Sequence, residues 1–275
     1  MSEVFERTEV LVPGPAEALS GLLGVPVPDL AAGLPLLWHW IYLLERPAQA
    51  DLGPDGHPIR NTVPEPPGPG RRRMWAGGSV RTRGALICGE PATKRTKVLS
   101  TAEKQGRTGA LTFLVVGHQI LQGDRIVVDE RQDIVYRDAV EPSGRSGEPE
   151  PVLDPKVPPA EDEWAIDTSP TLLFRYSALT YNGHRIHYDR DYARDVEGYP
   201  GLLVHGPLQA LAMAEAARAV HRYTGDQVFD YRLRSPLFDY QGLVVSATRR
   251  DGVLVTVARD GFGRQTATGT LHPAD

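Results

Sequence analysis

A single cysteine, Cys88, stands in 275 residues. No disulfide can form within the chain, and a thiolate zinc site has no second thiol. Cysteine usage this sparse fits a reducing compartment, and Cys88 itself reads as a small buried hydrophobe. Long apolar runs are also missing. The longest, near Leu34–Leu44, contains His39 and is too short to span a bilayer. Met1–Arg7 lacks a basic segment followed by an apolar one, so no secretory leader is expected and the protein is expected to be cytoplasmic. An excess of positive charge is also missing: the net charge is −5, which argues against nucleic acid as a partner. The only basic run, Arg71-Arg72-Arg73, reads as a solvated strand start rather than a phosphate site. There is no G-x-S-x-G and no P-loop, and Gly261-Phe262-Gly263 lacks the strand–helix setting of a dinucleotide fingerprint.

The length suits one or two domains with a sizeable core. Two Pro/Gly-rich stretches divide the chain. Pro47–Gly70 reads as a long loop, and Pro142–Pro170 as a linker packed along the surface. The pattern therefore predicts an N-terminal unit over residues 1–140, a linker over 141–170 and a C-terminal unit over 171–275.

The C-terminal unit is predicted to open with a strand over Thr171–Leu179. A short helix is expected over Asp189–Val196, with Asp189 as N-cap and Gly198 past its end. A long helix follows over Pro207–Thr224: Pro207 suits the first helical position, Gly225 the residue past the end, and Leu208, Leu211, Ala212, Ala216, Ala219 and Val220 share helical spacing. Strands are expected over Val228–Leu233, Gly242–Arg249, Val253–Arg259 and Arg264–Leu271, with Asp251-Gly252 as a hairpin turn. The N-terminal unit repeats this plan loosely. Its helices are expected around Ala16–Leu23 and over Leu34–Leu44, and its strands over Met74–Arg83, Lys94–Ala102, Ala110–Gly117 and Arg125–Arg137, with a turn at Gln122-Gly123-Asp124. Helices set against antiparallel strands make this an α+β protein.

Chemistry concentrates in two short segments. Tyr181-Asn182-Gly183-His184-Arg185-Ile186-His187-Tyr188-Asp189 places a carboxamide and two imidazoles within six residues. Val204-His205-Gly206-Pro207 puts a glycine just before a proline-started helix. Imidazole accepts and donates protons near neutral pH, and a main-chain N–H at a helix start favours a developing negative charge. Together these are the parts needed to add water beside a carbonyl. Each residue also has a plainer reading: His187 as a cap or core histidine, Asn182 as a turn residue beside Gly183, Gly206 as an N-cap glycine. Metal ligation by His184, His187 and His205 lacks a helical His-Glu pattern or a Cys cluster, so no metal is expected.

Phe174–Ala193 resembles the site segment of MaoC-type enoyl-CoA hydratases and dehydratases, and Glu197–Pro207 resembles the loop entering their central helix. The branch it is most similar to holds the 3-methylfumaryl-CoA (mesaconyl-C4-CoA) hydratases and the fungal-type mitochondrial 3-hydroxyacyl-thioester dehydratases. The motif-level likeness covers about residues 171–210. It implies a double hotdog fold, each hotdog a sheet wrapped around one long helix, with a degenerate N-terminal half that shapes the acyl pocket. It also implies reversible hydration of an enoyl thioester by a hydro-lyase that needs no cofactor.

The usual pattern of that family is aspartate, asparagine two residues later and histidine three after that. Aligned on His187, this chain carries Asn182 and His184 instead, so the histidine is kept and the carboxylate is lost. In the mechanism so implied, His187 deprotonates water, Gly206 N–H holds the thioester oxygen and Asn182 orients the water. Tyr181, His184, Arg185 and His205 are candidate substrate-binding residues, with Arg185 the nearest arginine for a free acyl carboxylate. The expected partner is an acyl thioester of CoA or of an acyl carrier protein. Two fused hotdogs already make a pseudo-dimer, and a homo-oligomer is compatible with it. A hotdog thioesterase and a noncatalytic acyl-thioester binder are the alternatives.

Overall fold

The computed structural model describes residues 3–59, 71–106, 109–138, 155–221 and 226–274. Ten strands form one sheet: β1 Phe5–Val10, β2 Arg71–Thr82, β3 Pro91–Gly106, β4 Gly109–Gln122, β5 Arg125–Asp138, β6 Glu163–Ile166, β7 Gln227–Leu233, β8 Leu243–Arg250, β9 Val253–Arg259 and β10 Gln265–Pro273. Their spatial order is β1-β3-β4-β5-β2-β7-β10-β9-β8-β6, and every neighbouring pair is antiparallel. The two halves meet where β2 pairs with β7, from Gly77 opposite Arg232 to Thr82 opposite Gln227. The architecture is a double hotdog.

The second half contains the long helix α3, Gly206–Val220, packed on β8, β9 and β10. Small residues permit that approach: Ala210, Ala212, Ala214 and Ala217 are buried beside Leu208, Leu211 and Met213. The helix ends at Val220, and the expected stop at Thr224-Gly225 lies outside the described residues. β8 turns into β9 through Asp251 (φ 49°) and Gly252 (φ 82°), the two positive values that a tight hairpin of matching twist requires. Asp189 caps the short helical turn as expected, its Oδ1 accepting from Tyr192 N–H at 3.0 Å. Tyr192–Val196 is wound as a π-helix, and Gly198 follows at φ 69°.

Three expectations need correction. Thr171–Leu179 is not a strand but most of α2, Pro170–Leu179. Ser169 accepts from Leu172 N–H and Pro170 takes the first turn, so the Ser-Pro pair is a helix start. Leu172, Leu173, Tyr176 and Ser177 are the buried positions, a helical spacing. Leu34–Leu44 is not a long helix. Only Trp38–Ile41 winds, as a 3₁₀ turn, between left-handed Leu37 (φ 68°) and Leu43 (φ 54°). Its side chains reach in several directions: Trp38 Nε1 donates to Glu215 of α3 at 2.8 Å, while His39 and Trp40 bind Glu130 of β5, each at 2.9 Å. An element anchored on several sides has no single apolar stripe. The first half thus lacks a counterpart of α3 among its described residues. Finally, the expected linker 141–170 contains β6, an edge strand on β8, and Val157 N–H donates to Gly261. Residues 141–154 lie outside the described part. β1, also unforeseen, pairs with β3.

Candidate active site

A cavity of about 590 Å³ lies between the halves, and both contribute walls. From the second half come Tyr181, Asn182, His184, His187, His205 and Gly206; from the first come Trp40, Asp55, His57, Arg73, Trp75 and Glu130. The two short segments singled out in the sequence therefore converge, because α2 turns directly into the 3₁₀ turn Arg185–His187 and Leu203 then leads into α3.

His187 is buried, and its Nδ1 lies 2.7 Å from the Leu203 carbonyl. A carbonyl only accepts, so Nδ1 carries the hydrogen and Nε2 keeps a lone pair. Burial lowers its pKa to about 4, against the opposing pull of that hydrogen bond. At neutral pH the ring is an uncharged base. His205 stacks on it at 3.6 Å, and its Nε2 lies 2.9 Å from Ser177 Oγ. His205 is driven well below its ordinary value by burial and then by His187. His184 sits edge-on to His187 at 5.5 Å and is likewise lowered, first by burial and then by His57, His187, Arg73 and His205. Three neutral imidazoles thus line the floor.

Asn182 fastens the turn. Its Oδ1 accepts from His184 N–H at 3.0 Å, and its own N–H donates to Ser177. That bond uses one of the two Oδ1 lone pairs, and the amide NH₂ remains to meet a ligand. Tyr181, left-handed at φ 53° and exposed, stands at the mouth. Gly206 opens α3, where a backbone N–H has no acceptor within the helix.

Arg185 does not line the cavity. Its guanidinium binds Asp189 at 2.8 and 3.0 Å, donates to the Pro54 carbonyl and lies 4.1 Å over the Tyr192 ring. The arginines that do line the cavity are Arg72, Arg73, Arg137 and Arg234, and Arg73 was missed because the Arg71–Arg73 run reads as solvent-facing. Arg72 pairs with Glu197 at 2.7 Å with both side chains largely buried. Arg73 makes no hydrogen bond or ion pair among the described residues, and burial pushes its pKa down against the opposing charges of Tyr136, Glu45 and Asp55. A half-buried guanidinium without a partner is costly unless a ligand completes it.

Asp55 and His57 were also missed, inside a segment that reads as plain loop. The signal available was the Asp-Gly-His triplet. Asp55 Oδ1 accepts from His57 N–H at 2.9 Å, and Oδ2 faces Nδ1 at 3.2 Å. The His57 ring lies 3.9 Å from that of His184. Single atoms of Asp55, His57 and His184 lie within 4.8 Å of one another, a spacing a cation could use. A hydrogen bond already engages Asp55 Oδ2 and His57 Nδ1, and Arg73 lowers the basicity of both imidazoles. The set is better suited to a proton than to a metal.

In the first half, Glu130 is the buried hub. Burial alone would raise its pKa, but the His39 hydrogen bond, the charges of His39 and His118 and the Gln132 amide bring it down to about 2. Cys88 is half-buried with Sγ 3.6 Å from Tyr42 Oη. No helix among the described residues is long and apolar enough to cross a membrane.

Comparisons with known proteins bear on the family and the fold. The chain is 46% identical over 219 residues to the mesaconyl-C(4)-CoA hydratase of Chloroflexus aurantiacus, covering 78% of this chain and 74% of that protein. Its fold is similar to that of HtdX from Mycobacterium tuberculosis, with a TM-score of 0.70 and 15% identity over 99% of this chain and all of that one. A second M. tuberculosis protein with a double hotdog fold gives a TM-score of 0.53 and 15% identity, over 98% of this chain and 94% of its own. Residues 37–239 match the family of hydroxyacyl-thioester dehydratases type 2. Sequence motif, double hotdog and family match coincide, and the chain belongs to the type 2 hydroxyacyl-thioester dehydratases.

Proposed function

We propose that this protein reversibly hydrates the double bond of a trans-2-enoyl-CoA whose acyl group carries a free carboxylate, as in mesaconyl-C4-CoA. The observation that carries the reading is the His187 ring: its Nδ1 hydrogen is held by Leu203, its Nε2 keeps a lone pair, and the residue lines the cavity together with Gly206 at the start of α3. In the hydration direction, His187 takes a proton from water as the oxygen attacks Cβ. Negative charge grows on the thioester oxygen, where Gly206 N–H and the helix dipole stabilise it. Asn182 donates from its NH₂ to the water oxygen and so points a water proton at His187. His184 and His205 hold the base in place, and Tyr181 borders the entrance.

Arg73 supports the choice of acyl group. Its half-buried charge would be completed by a carboxylate, and a bidentate pair would fix the acyl tail relative to His187. Arg185, engaged with Asp189, takes no part. The reaction uses protein groups and the thioester alone, with no cofactor. CoA is the carrier in this reading, the protein is cytoplasmic, and association of whole chains is compatible with the pseudo-dimer.

The test is a hydration assay on mesaconyl-C4-CoA and crotonyl-CoA, following loss of the conjugated thioester absorbance, with free thiol measured in parallel. Hydration of the dicarboxylic substrate at the higher kcat/KM, with no thiol released, is expected. Thiol release would mean a thioesterase. Tight CoA-ester binding with no turnover on either substrate would mean a noncatalytic binder.

A further inference from the structure

Hydration needs two proton transfers, and His187 accounts for one. Cα must also receive a proton, and a carboxamide at position 182 has none to give. A side chain able to give it comes from the other half of the molecule. Asp55 grips His57 twice, by the main-chain N–H and by Nδ1, which leaves Nε2 of His57 free. The ring lines the same cavity as His187, with His184 between them: 3.9 Å from His57 and 5.5 Å from His187.

Its placement is fixed by main-chain contacts. The Asp55 carbonyl accepts from Arg185 N–H at 2.8 Å. Gly56, at φ +85°, lies so close to Gly183 that a Cβ there would meet the Gly183 oxygen at 1.9 Å. Arg185 also donates to the Pro54 carbonyl at 3.0 Å. The loop of the first half is thus fastened to the turn that carries Asn182, His184 and His187. A loop needed only to fill a wall would not require a side-chain-free backbone contact on both partners.

We propose that Asp55 and His57 form the second acid–base dyad of this site, replacing from the N-terminal half the carboxylate that Asn182 lacks; this rests on His187 being the base. Burial holds the His57 pKa below the ordinary imidazole value, so it acts from the minority imidazolium form that the facing Asp55 carboxylate favours. Water forms a bond to Cβ and loses a proton to His187 Nε2. The C=C pair moves to the Cα–carbonyl bond, and the carbonyl pair moves to the oxygen at Gly206. As the carbonyl re-forms, the pair at Cα takes the proton from His57 Nε2. The proton left on His187 returns to His57 by way of His184, so the cycle neither gains nor loses one. Asp55, Glu197, Arg73, His184 and His187 are the charged and titratable groups that act on His57: the two carboxylates favour the imidazolium, while burial, Arg73 and the two imidazoles oppose it and prevail.

The experiment is His57→Gln and Asp55→Asn, with kcat, KM and pH–rate profiles on an enoyl-CoA that the wild type hydrates. His57→Gln is expected to lower kcat by about 10²-fold or more, with KM nearly unchanged. Asp55→Asn is expected to lower kcat less and to move the alkaline limb to lower pH, since the imidazolium loses its carboxylate. Imidazole added to His57→Gly is expected to restore part of the lost rate. Wild-type kcat in His57→Gln overturns the proposal. So does a fall in thermal stability or a rise in KM with an unaltered pH profile, which marks the loop as structural, and so does activity lost to a chelator and restored by zinc. Should His57→Gln not fold, Asp55→Asn and its pH profile decide alone. A wild type that hydrates no enoyl-CoA would instead defeat the hydratase reading itself.

Discussion

His187→Asn isolates the proposed base. The Asn amide nitrogen can occupy the place of Nδ1 and keep the bond to the Leu203 carbonyl, while the Nε2 lone pair is removed. A general base contributes about 10²–10⁴ in rate, which at 1.36 kcal/mol per decade is roughly 3–5 kcal/mol of lost transition-state stabilisation. The assay is kcat on mesaconyl-C4-CoA at saturating substrate, with CoA-ester binding measured separately to show that the pocket survives. The same substitution has a second readout. The imidazole is neutral in the fold down to about pH 4, whereas unfolded it titrates near 6.5. Between those values the unfolded chain binds the extra proton, so stability is complete above about pH 6.5 and falls as pH drops toward 4. The shift is worth roughly 3 kcal/mol. Urea unfolding at pH 7 and pH 4.5 should therefore show a shallower acid loss in His187→Asn than in wild type. The remaining loss includes that of His57, His118, His184 and His205, which are lowered for the same reason. Wild-type kcat in the variant, or an identical acid loss in both proteins, would refute the reasoning.

Arg73→Gln should cut kcat/KM for the dicarboxylic substrate by about 10–10²-fold, the range of a charge-assisted hydrogen bond, and leave crotonyl-CoA within a few-fold; equal losses on both would show a purely structural arginine. Gly56→Ala, whose Cβ would meet the Gly183 oxygen at 1.9 Å, should destabilise by about 1–3 kcal/mol in thermal melts and lower turnover, because the two loops must separate. Glu130→Gln removes the carboxylate shared by His39, Trp40 and Gln132 and should cost about 3–5 kcal/mol at pH 7. Because the Glu130 pKa is depressed, its contribution is full above about pH 4.5 and is lost as pH falls toward 2, so wild type and variant should converge in acid.

The sequence by itself determined the elements whose signal is local. Pro207 and the alanine-rich apolar face specify α3, and Asp251-Gly252 specifies the hairpin between β8 and β9, because caps, turns and period act over a few residues. The same locality placed Asn182, His184, His187, His205 and Gly206 around one cavity, since one turn and one helix start carry them all. Tertiary structure decided the rest. Whether Thr171–Leu179 wound as a helix depended on the Ser169 cap and on which side chains found a core. Whether Leu34–Leu44 did so depended on Glu130 and Glu215, each far away in the chain. Arg185 was nearest in sequence to the base yet was taken up by Asp189, while Arg73 was carried into the cavity by β2. Asp55 and His57 reach the site only because Gly56 packs on Gly183 across the two halves. Proximity along a chain fixes local conformation, but which charges and imidazoles share a cavity is set by pairings that close long loops, and those leave no short-range mark.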